Sequence, residues 1–141
     1  MKTDRPVWAV LAAAGQGRRA GGELPKQFQS IAGKRVLDWS LQALLAIESI
    51  KGVMVVLPSI EPALAGSRVQ TCAGGVTRAE SVLKGLSALL SRGAQPNDLV
   101  LVHDAARPCV PAQDILRLLE AVEENEDGGL LAVALRDTLK L

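Results

Sequence analysis

The stretch Val7 to Gln27, VWAVLAAAGQGRRAGGELPKQ, narrows the choice of fold more than any other part of the chain. Val7 to Ala14 is apolar without interruption, which suits a strand buried on both faces, as in a parallel sheet. The chain then turns abruptly to Gly15, Gly17, Gly21 and Gly22, with Arg18, Arg19 and Lys26 among them. Glycine lets backbone N–H groups approach a ligand closely. Successive free N–H groups make a concave nest for phosphate oxygens. A buried strand that runs into a glycine-rich cationic loop reads as a polyphosphate site.

Two other readings compete with this one. A surface loop with solvated arginines leaves the buried strand before it unexplained. A dinucleotide-binding turn is formally matched, because Gly15 to Ala20 satisfies G-x-G-x-x-G/A. That turn must open a helix, and Gly21, Gly22 and Pro25 would break one at once. A P-loop fails on spacing: Arg35 follows Gly33-Lys34 where Ser or Thr is required, and the earlier glycine is missing. A long loop wrapped round a nucleoside triphosphate is the reading favoured here.

Composition sets the outer limits. With 141 residues the chain has length for one domain and a sizeable core. A net charge of +1 provides no bulk attraction to nucleic acid or anionic membrane, so any anion site must be local. Trp8, Trp39 and Phe28 are the aromatic residues, too few for a base-stacking platform. Cys72 and Cys109 lie far apart with no C-x-x-C, which argues for free thiols over a zinc site. The first residues, MKTDRP, lack a signal peptide's apolar stretch, and no run approaches the ~20 apolar residues of a membrane span. The expectation is a cytoplasmic protein.

Strand and helix signals alternate along the chain. Val36 to Ile50 has helical spacing; Val53 to Leu57 and Val69 to Ala73 read as strands, with a short helix in Ser59 to Ala65. Thr77 with Glu80 forms a capping-box pattern for a helix reaching about Ser91. Leu99 to Val102 is a fourth strand running into His103-Asp104-Ala105-Ala106-Arg107. Pro111 opens a helix through Glu124, and Leu130 to Leu135 is a fifth strand. This order predicts an α/β sandwich with a mainly parallel sheet. Ligands of such sheets bind at the carboxyl ends of the strands. Those ends carry Gly15 to Arg19, Gly74 to Thr77, His103 to Arg107 and Arg136 to Lys140. Asp104 is placed to hold Mg²⁺ with phosphate oxygens, a cation that needs only one or two carboxylates; a turn residue bonding its own backbone is the competing reading. His103 beside a buried strand reads as structural, and Arg78 and Ser81 read, from spacing alone, as capping and solvation.

Taken together, AAAGQGRR at 12–19, PKQ at 25–27, GG…R…SV…GL across 74–86, VHDAARP at 102–108 and RDTLK at 136–140 resemble the 2-C-methyl-D-erythritol 4-phosphate cytidylyltransferases. The resemblance runs from about Val7 to Lys140. It implies a Rossmann-like nucleotidyltransferase three-layer sandwich and a homodimer. It implies that CTP and methylerythritol phosphate give CDP-methylerythritol and pyrophosphate with Mg²⁺, a step of non-mevalonate isoprenoid synthesis. By the same resemblance, Arg19 and Lys26 would act on the CTP phosphates, and Ala13, Ala14, Gly15 and Gly17 would line the nucleotide. Gly75 and Ser81 would contact the cytosine region, and Ala105 would lie near the ribose. Asp104 would hold the metal, and Thr138 and Arg107 would meet substrate. The chain departs from the pattern at Ala20, where a methionine is often found. The resemblance also implies a longer protein, so residues 1–141 would be a single nucleotidyltransferase domain without the family's C-terminal portion. A ribitol 5-phosphate cytidylyltransferase and a non-catalytic CTP-binding module are the alternatives.

Overall fold

The computed structural model describes residues 5–16, 24–123, 125 and 127–136. Its centre is a four-stranded sheet built round β1 (Val7–Ala12). A strand apolar on both faces needs neighbours on both edges, and β1 has them. It pairs in parallel with β4 (Ile50–Leu57) on one side and β6 (Leu99–Asp104) on the other. β5 (Val69–Ala73) adds in parallel to β4, so the order is β5-β4-β1-β6. A small antiparallel hairpin, β2 (Ser30–Ile31) and β3 (Lys34–Arg35), stands apart. Its turn places Ala32 at φ 50 and Gly33 at φ 81, both left-handed, as a tight hairpin turn demands.

Helices cover both faces, which makes three layers. Val7, Ala9 and Leu11 share a core with Leu37, Leu41 and Leu44 of α1 (Val36–Leu45) and Ile115 and Leu119 of α3 (Ala112–Glu123). Val10, Met54 and Val56 face the other way, against Leu89 of α2 (Arg78–Leu90). Gly85 lets α2 lie close on this face: a Cβ there would come within 2.8 Å of both Val10 Cγ1 and Val56 Cγ2. Gly85→Ala should therefore cost about 1–3 kcal/mol, the scale of overpacking, despite its gain in helix propensity. Urea unfolding checks this, and a more stable variant would contradict the packing.

Several boundaries differ from the sequence expectation, each for a reason of packing. α1 stops at Leu45, short of Ile50, because Arg68 donates to the carbonyls of Leu45, Ile47 and Ile50. β4 starts at Ile50, three residues before Val53, and Gly52 lies inside it. A Cβ on Gly52 would meet the Trp8 ring at 3.0 Å, so the glycine makes room for the indole rather than ending a segment. β6 runs on to Asp104 because His103 and Asp104 continue the ladder opposite Leu11 and Ala12. The short helix in Ser59 to Ala65 is a 3-10 turn, Pro62–Leu64. The helix expected from Pro111 runs to Glu123, and Glu124 lies outside the described residues.

The expected fifth strand, Leu130 to Leu135, does not form. These residues have no strand geometry, and Leu130 and Val133 are 77% and 92% exposed. An apolar run becomes a strand only where a neighbour completes its ladder. Among the described residues none lies beside it, and β6 is paired on one edge only.

The entrance to α1 carries a charge cluster. Arg35 donates to both oxygens of Asp38 at 3.0 Å, and its other amino group reaches Glu61 at 3.0 Å. The Arg35 hydrogen bonds hold the Asp38 carboxyl below its usual range, against the opposing pull of burial. A lowered folded value means the stabilisation is present above the ordinary carboxylate range and is lost as pH falls through the folded value. Asp38→Asn should cost about 1 kcal/mol at pH 7, the scale of a lost cap. Chemical denaturation across pH should show the gap closing below about pH 4; a gap independent of pH would contradict the ion pair's role.

Candidate active site

The sheet order reverses at β1: the chain goes outward to β4 and β5, then returns to β6 on the other side. The loop leaving β1 leads to α1 on one face and the loop leaving β5 leads to α2 on the other, which opens a crevice at the carboxyl ends. A hollow of about 1020 Å³ lies there. Three loops wall it: Ala14 to Gln16 after β1, Gly74 to Thr77 after β5, and Asp104 to Arg107 after β6. Lys26 closes the β1 side from a one-turn 3-10 helix, Lys26–Phe28, preceded by Pro25 at φ −55. Lys26, Arg78, Lys84 and Arg107 set four cations on the walls against two carboxylates, Glu80 and Asp104. The excess charge is local, in a chain whose net charge is only +1.

Each wall is held from behind. Thr77 and Glu80 cap α2 reciprocally, Glu80 N donating to Thr77 Oγ1 at 3.1 Å and Thr77 N to Glu80 Oε2 at 3.2 Å. Glu80 Oε2 also accepts from Val76 N at 2.7 Å. Ser81 Oγ accepts from Gly75 N at 3.0 Å and donates to Thr77 O at 2.9 Å, which fixes the Gly74-Gly75 turn. Lys84 Nζ donates to Gly74 O at 2.9 Å. On the opposite wall Asp104 is bound by two arginines. Arg78 reaches Oδ1 with Nε at 3.0 Å and Nη2 at 2.9 Å, and Arg107 Nε lies 3.4 Å from Oδ2. His103 Nε2 lies 2.8 Å from Arg107 O. A carbonyl only accepts, so that nitrogen carries a proton and donates. That nitrogen is thus committed to the Arg107 carbonyl.

The structure brings Lys26, Ala14, Gly15, Gly75, Ser81, Asp104 and Arg107 onto one hollow. Ala13 and Ala105 are placed differently: they are 1% and 0% exposed and their methyl groups belong to the core. Ala13 N donates to Val56 O, and Ala105 N to Ala12 O, so each serves the wall through its backbone. Ala106, beside Ala105, lines the hollow instead. Arg19, Gly17 and Thr138 lie outside the described residues. Sequence reasoning gave no role to Lys84 or to Gln16, and set Arg78 aside as solvated. Thr77, Ser81 and Lys84 stand at i, i+4 and i+7, one helical face, and that spacing was the available signal.

Among the described residues no cluster of three or more His, Cys, Asp or Glu forms a metal cage. One carboxylate beside a phosphate site still fits Mg²⁺, because phosphate oxygens and water complete its shell. Asp104 meets that requirement: it ends a strand on the hollow, is one-third exposed, and already attracts two cationic groups.

Parallel strands in the order β5-β4-β1-β6, with the hollow at the reversal, define a Rossmann-like nucleotidyltransferase sandwich. The chain belongs to the 2-C-methyl-D-erythritol 4-phosphate cytidylyltransferase family, whose sequence model matches residues 7–141. A curated relative of that name from Pseudomonas aeruginosa (strain UCBPP-PA14) is 47% identical over 145 residues, covering 98% of this chain and 62% of its own. A crystal structure of 4-diphosphocytidyl-2C-methyl-D-erythritol synthase superposes with a TM-score of 0.81 at 35% identity, covering 98% of this chain and 64% of that one. The Francisella tularensis 2-C-methyl-D-erythritol 4-phosphate cytidylyltransferase gives 0.79 at 30% identity, covering 96% and 60%. The chain thus spans about three-fifths of the length of the curated relatives it matches. Among the described residues no helix is long and apolar enough to cross a membrane.

Proposed function

We propose that residues 7–141 supply the nucleotide-binding portion of an enzyme that transfers a cytidylyl group from CTP to 2-C-methyl-D-erythritol 4-phosphate, releasing pyrophosphate. One observation carries the reading: the cationic hollow sits at the β1/β6 reversal, in a chain of this family. Lys26 and the backbone of Gly15 hold the triphosphate, with Arg19 assigned there by family resemblance. Gly75 and the Ser81-braced turn face the cytosine, and Arg107 and Thr138 serve the acceptor. Asp104 would hold Mg²⁺ with the phosphates, and the ion would neutralise charge there. The attacking phosphate oxygen is ionised at neutral pH, so no base is needed. Two anionic reactants repel, and the wall cations reduce that repulsion and orient the attack in line on the α-phosphorus. Charge that builds on the phosphoryl oxygens then meets cations already in place. The complete protein acts as a cytoplasmic homodimer.

Pyrophosphate release from CTP by the complete protein, with methylerythritol phosphate or ribitol 5-phosphate as acceptor, tests the reading. Turnover with the first and little with the second is expected. Preference for ribitol 5-phosphate would overturn the acceptor assignment. CTP binding with no turnover would leave a binding module.

A further inference from the structure

Three polar side chains are buried among the described residues, Gln27, Ser40 and Ser81. Each bonds the backbone of one loop round the hollow. Ser81 braces Gly75, and Ser40 Oγ donates to Ala105 O at 2.7 Å. Gln27, 6% exposed, spends one amide nitrogen on two carbonyls, donating to Ala13 O at 2.9 Å and Gly15 O at 2.6 Å. These carbonyls lie just past the end of β1, where regular strand structure has stopped. Gln27 also follows Lys26 on the same 3-10 turn. A single side chain therefore ties the lysine's platform to the mouth of the glycine loop.

We infer that Gln27 is a positioning residue that holds Lys26 in register with the Ala13 to Gly15 backbone, so that the two halves of the phosphate site act on one triphosphate. The inference rests on the function proposed above. A buried amide with both hydrogens committed is a rigid link, since breaking it strands the buried Ala13 carbonyl without a donor. Without it Lys26 keeps its charge but loses its fixed distance from the loop. Displacements of about 1 Å in a positioned group can cost about 10²-fold in rate.

The test is a double-mutant cycle in the complete protein. Gln27→Met keeps length and removes both donors. It should lower kcat/KM for CTP by ~10–100-fold while leaving most of the thermal stability. In a Lys26→Ala background the same change should cost less than about threefold, because the group it positions is gone. Equal losses in both backgrounds, or unchanged kinetics with a lowered melting temperature, would overturn the inference and leave Gln27 as a structural brace. Should Gln27→Met not fold, Gln27→Glu takes its place in the cycle; failure of both to fold also assigns a structural role. A wild-type protein that releases no pyrophosphate from CTP would overturn the functional reading first, and the inference with it.

Discussion

Lys26→Ala should reduce turnover with CTP by ~10²–10³-fold, the loss associated with one preorganised charge-stabilising group. Lys26 lines the hollow from a short turn whose start is set by Pro25, and Gln27 anchors that turn to the β1 loop. Its backbone is thus held by the fold at the edge of the hollow, and the proposed function sets its ammonium against the phosphates. Alanine leaves the turn intact: Phe28 N still donates to Pro25 O at 2.9 Å and Gln29 N to Lys26 O at 3.2 Å. Stability should change by no more than about 0.5 kcal/mol, as for an ordinary surface substitution. Lys26→Arg should recover only part of the rate, because a planar fork does not replace a compact point charge. Steady-state pyrophosphate release checks both variants. Near-normal release by Lys26→Ala would remove the residue from the reaction.

Gly74→Ala is expected to damage fold and site together. A Cβ on Gly74 would fall 2.3 Å from the Cβ of Ala14 and 2.9 Å from Ser81 Oγ. Neither atom is the end of a flexible side chain. Gly74 is also held on both sides, donating to Leu57 O at 2.7 Å and accepting from Lys84 Nζ. Relief requires the wall after β5 to move away from the wall after β1, which widens the nucleotide crevice. The expected cost is about 1–3 kcal/mol of stability and at least ~10-fold in CTP affinity, about 1.4 kcal/mol. Gly66→Ala is the control: a Cβ there meets nothing within 4 Å, so both quantities should stay near wild type. Calorimetric CTP titration beside urea unfolding separates the effects. Normal affinity in Gly74→Ala would mean the two walls need not approach so closely.

Much of this arrangement is legible in the residues. β5 and α2 lie where the apolar run and the Thr77/Glu80 pair put them, because both signals are local. Gly15, Lys26 and Asp104 are legible for a related reason: each follows or faces a buried strand, and parallel strands bring their carboxyl ends together. What escaped depends on distant partners. α1 ends where Arg68 takes its carbonyls, and no window of sequence round Leu45 contains Arg68. Leu130 to Leu135 carries a strand's composition, but composition does not supply the neighbouring ladder. Ala13 and Ala105 are assigned to the nucleotide by resemblance, which does not say how a residue faces; their methyls turn into the core at the strand ends. Gln27 falls in the PKQ match at 25–27, but its role gave no signal because its partners are backbone carbonyls, which every sequence has.

The claim beneath all of this is that the hollow at the ends of β1 and β6 grips a triphosphate. Calorimetry of the complete wild-type protein with CTP and with cytidine, in the presence of Mg²⁺, tests it most directly. Binding of CTP at least ~100-fold tighter, a difference of about 2.7 kcal/mol, is the result expected of walls that carry Lys26, Arg78, Lys84 and Arg107. Equal affinity for CTP and cytidine would show that the phosphates go ungripped, and would contradict the assignment of the site.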